Sequence, residues 1–147
     1  MGEKKITLTV DGVVVFPKEK EPNEVLLIRR KNHPFKNHFA IPGGLVEYGE
    51  RTEEAVIREL REETGLKVQI KGLIGVYSDP SRDPRGHFVS VAYLCIPTGG
   101  RLKAGDDAQE VLTAEFSREI LIQLTPKLAF DHQKILLDAL TQCNKLL

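Results

Sequence analysis

GLVEYGERTEEAVIRELREETGL, residues 44–66, reads as a glycine-containing loop that runs into one strongly patterned helix and stops at Gly65. At about 100° per residue, Glu59, Glu62 and Glu63 fall within a third of a turn, with only Ala55 between them. Val56, Ile57, Leu60 and Thr64 form the adjoining apolar stripe. Three carboxylates beside a buried face work against the helix. A like-charge pair such as Glu59 and Glu63 at i,i+4 costs roughly 0.2–0.5 kcal/mol, and Glu62 and Glu63 lie in the last turn, where the helix dipole favours cations. A divalent cation would neutralise the cluster, because hard Mg²⁺ takes carboxylate oxygens together with water and phosphate oxygens. The bland alternative is a solvated face with Glu54–Arg58 and Arg58–Glu62 as i,i+4 pairs.

The spacing decides between them. Gly44, five residues, Glu50, seven residues, then Arg58-Glu59-Leu60-Arg61-Glu62-Glu63-Thr64-Gly65-Leu66 resembles, without a departure, the signature box of the Nudix hydrolase superfamily. That resemblance implies an α/β/α sandwich with a mixed β-sheet between helices. It also implies hydrolysis of a nucleoside diphosphate linked to another group.

With 147 residues the chain is long enough for one domain with a real core, and a single domain over residues 1–147 is the expectation. Lys+Arg and Asp+Glu both number 21, so no global field draws the chain to nucleic acid or to a membrane, and an anionic substrate must be held locally. Cys95 and Cys143 have no metal-type spacing and read as unpaired thiols. The start, MGEKKITLTV, has no long apolar run, and a cytoplasmic protein is expected.

Working outward from the box, residues 5–16 are rich in β-branched side chains and predict one or two strands interrupted at Asp11-Gly12. A short buried strand over 25–28 ends on the basic run Arg29, Arg30, Lys31. Residues 33–38 read as a loop, 39–41 as a brief strand, and Gly43-Gly44 as a place where the backbone approaches a ligand closely or takes positive φ. Thr52 is the expected N-cap and Gly65 the left-handed stop. Residues 67–77 and 87–96 predict a long hairpin around a proline-stiffened loop, with a Gly-rich connection over 97–107 and a last strand over 110–116. A short helix over 117–125 closed by Pro126, then an amphipathic helix over 128–140, complete the chain.

The chemistry follows from the resemblance. It implies Glu59, Glu62 and Glu63 as metal ligands with the Gly44 carbonyl, Glu50 in a less direct supporting place, and Arg58 orienting a glutamate. A diphosphate repels nucleophiles, so its hydrolysis needs cations on the phosphoryl oxygens and a positioned water. Mg²⁺, or Mn²⁺, would act there as Lewis acid. A base is required. Glu62, Glu63 and Glu110 are the candidates, the last for metal support or as the base, in a stretch, DDAQEV, resembling a segment that supplies a carboxylate in many family members. Pro80, 14 residues past Leu66, and the run SDPSRDPRGHFVSVAYL resemble small ADP-ribose pyrophosphatases. The favoured substrate is therefore ADP-ribose, giving AMP and ribose 5-phosphate. Arg29, Arg30, Arg82 and Arg85 are candidate phosphate contacts, and Phe16, Phe35, Phe39, Tyr48, Tyr77 and Phe88 candidate base-stacking rings. His33, His38, His87 and His132 lack ligand spacing and are expected at the surface or in structural places. A nucleoside triphosphate pyrophosphohydrolase and a non-catalytic nucleotide-binding sensor are the rivals. A homodimer through the hairpin or the last helix fits the resemblance, and core packing of either is the alternative.

Overall fold

Neighbouring valines of the first strand are buried on opposite sides, and the rest of the molecule is laid down on those two sides. In the computed structural model, which describes residues 4–20, 22–106 and 108–146 (Leu146 by its backbone alone), β1 runs unbroken over Ile6–Phe16. Val10 and Val14 pack with Ala55, Val56 and Leu60. Val13 and Val15 pack with Leu121, Ile135, Leu136 and Ala139. A strand covered on both faces reads as a continuous apolar run, which is why its period-2 alternation is invisible in the sequence. The predicted interruption at Asp11-Gly12 does not occur. Gly12 is a packing residue, since a Cβ there would lie 2.6 Å from Leu60 Cδ1 and 3.0 Å from Val56 Cγ2.

The remaining elements are β2 (Glu24–Arg30), β3 (Phe39–Ala40), β4 (Gly43–Leu45), α1 (Thr52–Thr64), β5 (Leu66–Tyr77), β6 (His87–Gly100), β7 (Ala108–Glu115), α2 (Arg118–Leu124), a 3-10 turn (Thr125–Lys127) and α3 (His132–Leu146). The sheet order is β3-β2-β1-β6-β5, with β4 on β1 and β7 on β2. Only β1 and β6 pair in parallel among these ladders, so the sheet is mixed as expected. Helix α1 covers one face and α2 with α3 the other, giving the α/β/α sandwich.

β1 is shared between two partners that diverge. Its residues Thr9, Val10 and Asp11 pair with Leu45, Gly44 and Gly43, whereas Val15 and Phe16 pair with Val25 and Glu24. Between β4 and β2 the sheet splits, and a cleft opens there.

Several boundaries differ from expectation for physical reasons. Thr52 is the first helical residue and Arg51 the cap, its N–H bonded 3.1 Å from Glu54 Oε1. Ile57, placed on the apolar stripe, is exposed. β6 runs on to Gly100, opposite Leu66, so the predicted connection over 97–107 begins as strand; Asp107 lies outside the described residues. The last helix starts at His132 and not at Leu128, because the Ala129 N–H bonds the Phe39 carbonyl at 2.8 Å and Phe130 turns the chain at φ 51°. Leu128 and Ala129 are buried beside β3 and not on a helix face. Gly65 ends α1 at φ 80°, as predicted. Cys95 and Cys143 are free and buried. Among the described residues no helix is long and apolar enough to cross a membrane.

Leu60 is fully buried between α1 and β1. Leu60→Ala is expected to lower stability by about 2–5 kcal/mol, read as a shift in the urea midpoint at unchanged m-value.

Candidate active site

The cleft at the split has a volume of about 830 Å³. Its walls come from β1, β2, β4, α1, the loop before β6 and the start of α3. Helix α1 delivers Arg58, Glu59, Glu62 and Glu63 to it.

Those side chains do not stand alike. Glu63 is 5% exposed, while the side chain of Glu59 is 15% and that of Glu62 60% exposed. The predicted like-charge strain is relieved by Arg58. Its Nε donates to Glu50 Oε2 at 2.8 Å and its Nη2 to Glu50 Oε1 at 3.0 Å, a bidentate fork. Nη1 donates to Glu59 Oε1 at 2.8 Å and to Glu62 Oε2 at 3.2 Å. Nη2 also donates to the Leu45 carbonyl at 3.0 Å, tying the helix to β4. These hydrogen bonds, that with Glu50 foremost, raise the arginine above its usual range. In return Arg58, helped by the Glu47 N–H, lowers Glu50 to about 2.

Among the described residues no three His, Cys, Asp or Glu side chains form a ready-made metal cage. Arg58 holds Glu59 and Glu62 as ion-pair partners instead. The residues nevertheless suit a hard cation. The donor set is carboxylate and carbonyl oxygen, and the backbone at Gly44 runs so close to Glu59 that a Cβ there would overlap its carboxylate. A Cβ at Gly43 would likewise strike the Val10 carbonyl and lie 2.7 Å from Asp11 Oδ1. Close approach, not positive φ, is what these two glycines supply.

The candidate phosphate contacts divide. Arg30, Arg82 and Arg85 line the cleft. Arg30 Nε donates to the Pro34 carbonyl at 2.8 Å, and its guanidinium lies over Phe130, 4.9 Å from the centroid. Arg82 is held by both oxygens of Asp131 at 2.9 and 2.7 Å with a side chain 5% exposed, which ties the loop before β6 to the start of α3. Arg85 forks onto Asp83 and lies over Phe88 at 4.8 Å. Arg29 is not part of the lining. It pairs with Glu110 at 2.6 Å, its cross-strand neighbour on β7, and both stand outside the cleft.

Of the candidate rings only Phe88 lines the cleft, joined by Phe130, which the sequence reading passed over. Tyr48 is fully exposed, and Tyr77 is buried with its hydroxyl donating to Asp138 at 2.7 Å. The reading also missed Asp11 and Ser90 and gave His132 no place in the cleft. All three are buried, and Asp11 and His132 line the cleft. Ser90 Oγ donates to Asp11 Oδ2. The Ile41 N–H donates to His132 Nδ1 at 2.9 Å. Burial holds this imidazole below its ordinary pKa, so it is neutral at pH 7 with its proton on Nε2, 3.8 Å from Asp11 Oδ1. The available signal was a lone carboxylate inside a valine-rich strand, a costly placement unless it has partners.

A mixed sheet between helices, split over a cleft into which one helix sends a row of glutamates, defines a Nudix hydrolase. The NUDIX domain pattern matches residues 7–139, and the chain belongs to that family. It is 55% identical over 131 residues to the ADP-ribose pyrophosphatase of Methanocaldococcus jannaschii, covering 89% of this chain and 71% of that protein. Among solved structures it resembles a bifunctional NMN adenylyltransferase/ADP ribose pyrophosphatase from Francisella tularensis complexed with AMP and a manganese ion. That match has a TM-score of 0.83 and 28% identity, over 97% of this chain and 43% of that one. It also resembles the NUDIX domain of Shewanella oneidensis NrtR complexed with ADP ribose, with a TM-score of 0.77 and 27% identity, over 96% and 90% of the two chains.

The Arg58–Glu50 fork fixes a pH signature. Because Glu50 is lowered to about 2, its contribution to stability is complete above the ordinary carboxylate pKa of about 4.3 and is lost as pH falls towards 2. In Arg58→Ala the Glu50 midpoint is expected to return to about 4, measured by the ¹³C carboxyl shift against pH; a midpoint still near 2 would show that Arg58 is not its cause.

Proposed function

We propose that this chain hydrolyses the diphosphate link of ADP-ribose, or of a close nucleoside diphosphate sugar, with a divalent cation. The observation that carries the reading is the cleft itself, lined both by three glutamates and by arginine-backed aromatic rings. The relatives support the choice of substrate, being named as an ADP-ribose pyrophosphatase or bound to ADP ribose.

In this reading Glu59, Glu62 and Glu63, with the Gly44 carbonyl, hold the cation, Mg²⁺ or Mn²⁺. When bound, the cation offsets phosphoryl charge and lowers the pKa of water. Arg58 keeps Glu59 and Glu62 aimed into the cleft and is anchored from behind by Glu50. Arg30 and Arg85 face the substrate's diphosphate, and Arg82 shapes the wall through its fork onto Asp131. The base that takes the proton from the attacking water is one of the α1 glutamates. Glu110 stands outside the cleft, paired with Arg29 through one carboxylate oxygen, and is the less favoured base. The products are AMP and ribose 5-phosphate.

Purified protein with Mg²⁺ should show a higher kcat/KM for ADP-ribose than for any nucleoside triphosphate, and the reverse order would favour a triphosphate pyrophosphohydrolase. Chelation should abolish turnover, and added Mg²⁺ or Mn²⁺ restore it. Glu59→Gln and Glu63→Gln are each expected to cost about a hundredfold or more in kcat, the upper end of what losing even an outer partner of a metal costs. A nucleotide-binding sensor is the competing reading, since the Shewanella domain belongs to a protein also solved with DNA. Wild-type turnover no better than that of these variants would decide for it.

A further inference from the structure

Among the side chains that line the cleft, two buried polar groups face each other without touching. His132 Nε2 lies 3.8 Å from Asp11 Oδ1, beyond hydrogen-bond reach. Each is fixed from behind. The Ile41 N–H occupies His132 Nδ1 at 2.9 Å, which assigns the ring proton to Nε2. Ser90, itself fully buried, donates to Asp11 Oδ2, which leaves Oδ1 as the acceptor turned to the cleft. The bare backbone of Gly43 leaves the room that Oδ1 occupies, since a Cβ there would lie 2.7 Å from it.

The result is one donor and one acceptor 3.8 Å apart, close enough that a single oxygen set beside them on the cleft side would lie about 2.8 Å from each. Such an oxygen must accept from Nε2–H and donate to Oδ1, which is what a hydroxyl does. His132 is 4% and Asp11 8% exposed. Both line the cleft, so an atom of a bound ligand can reach them.

We propose that Asp11 and His132 are a specificity-determining pair that takes one ribose hydroxyl of the substrate, the diphosphate lying by the α1 glutamates. This rests on the reading of the cleft as a nucleoside diphosphate sugar site. Where the distal ribose supplies that hydroxyl, the pair also distinguishes ADP-ribose from a nucleoside triphosphate, whose extra phosphate would meet the Asp11 carboxylate. The chemistry named is a secondary alcohol of either ribose of ADP-ribose.

The test uses wild-type protein with Mg²⁺, ADP-ribose and a set of analogues each lacking one hydroxyl, on the adenosine ribose or on the distal ribose. One analogue is expected to lose about tenfold to a hundredfold in kcat/KM, because its absent hydroxyl leaves two buried groups unpaired; its identity says which ribose reaches the pair. Analogues all within twofold of ADP-ribose would overturn the pair's role without touching the function. No turnover of ADP-ribose at all would instead overturn the function and the pair together. The second arm uses His132→Asn, whose amide oxygen can keep the Ile41 N–H bond while the donor at Nε2 is lost. In this variant the penalty for the critical analogue should shrink to within about twofold, the loss falling on ADP-ribose through KM. A penalty that survives in His132→Asn would overturn the assignment.

Discussion

Carboxylates gathered at the C-terminal end of a helix repel one another and oppose its dipole, and the guanidinium of Arg58 is the counter-charge that lets α1 carry them. It reaches Glu50, Glu59 and Glu62 with hydrogen bonds of 2.8 to 3.2 Å and ties the helix to the Leu45 carbonyl of β4. A lysine could not do this. The contacts use the planar fork of guanidinium, with two donors on one carboxylate and a third on its neighbours. Remove that fork and the glutamates lose both their neutralisation and their aim, and the bond from α1 to the Leu45 carbonyl goes with it.

The second constraint is the division of the sheet. Because β1 pairs with β4 over Thr9 to Asp11 and with β2 only at Val15 and Phe16, the two partner strands diverge and leave a cleft between them. Side chains from distant parts of the sequence meet there. Arg82 joins Asp131, Ser90 joins Asp11, and His132 takes the Ile41 N–H. Each of these contacts fixes one wall of the cleft against another.

Much of this was legible in the sequence, and the reasons differ by residue. The helix from Thr52 to Thr64 and its stop at Gly65 were readable because local patterning and a left-handed cap are local facts. The arrival of Glu59, Glu62 and Glu63 at a cleft followed from the box spacing. What escaped was long-range pairing. Nothing local indicates that Glu110 stands opposite Arg29, since that is a matter of strand register. Nothing local indicates that Arg82 is consumed by Asp131, 49 residues away. Asp11-Gly12 looked like a break because both residues are poor strand formers; the strand passes through them because Gly12 makes room for Leu60 and Asp11 finds Ser90. The start of the last helix was misjudged because Leu128 and Ala129 have helical spacing but serve β3.

The alternation along β1 has a genetic corollary. Val13 and Val14 are chain neighbours, yet one is packed with α2 and α3 and the other with α1. Volume changes at Val13 and at Val14 therefore fall in separate packing clusters and are coupled through the strand backbone they share. The protein has two cores to tune and a single strand that inherits from both.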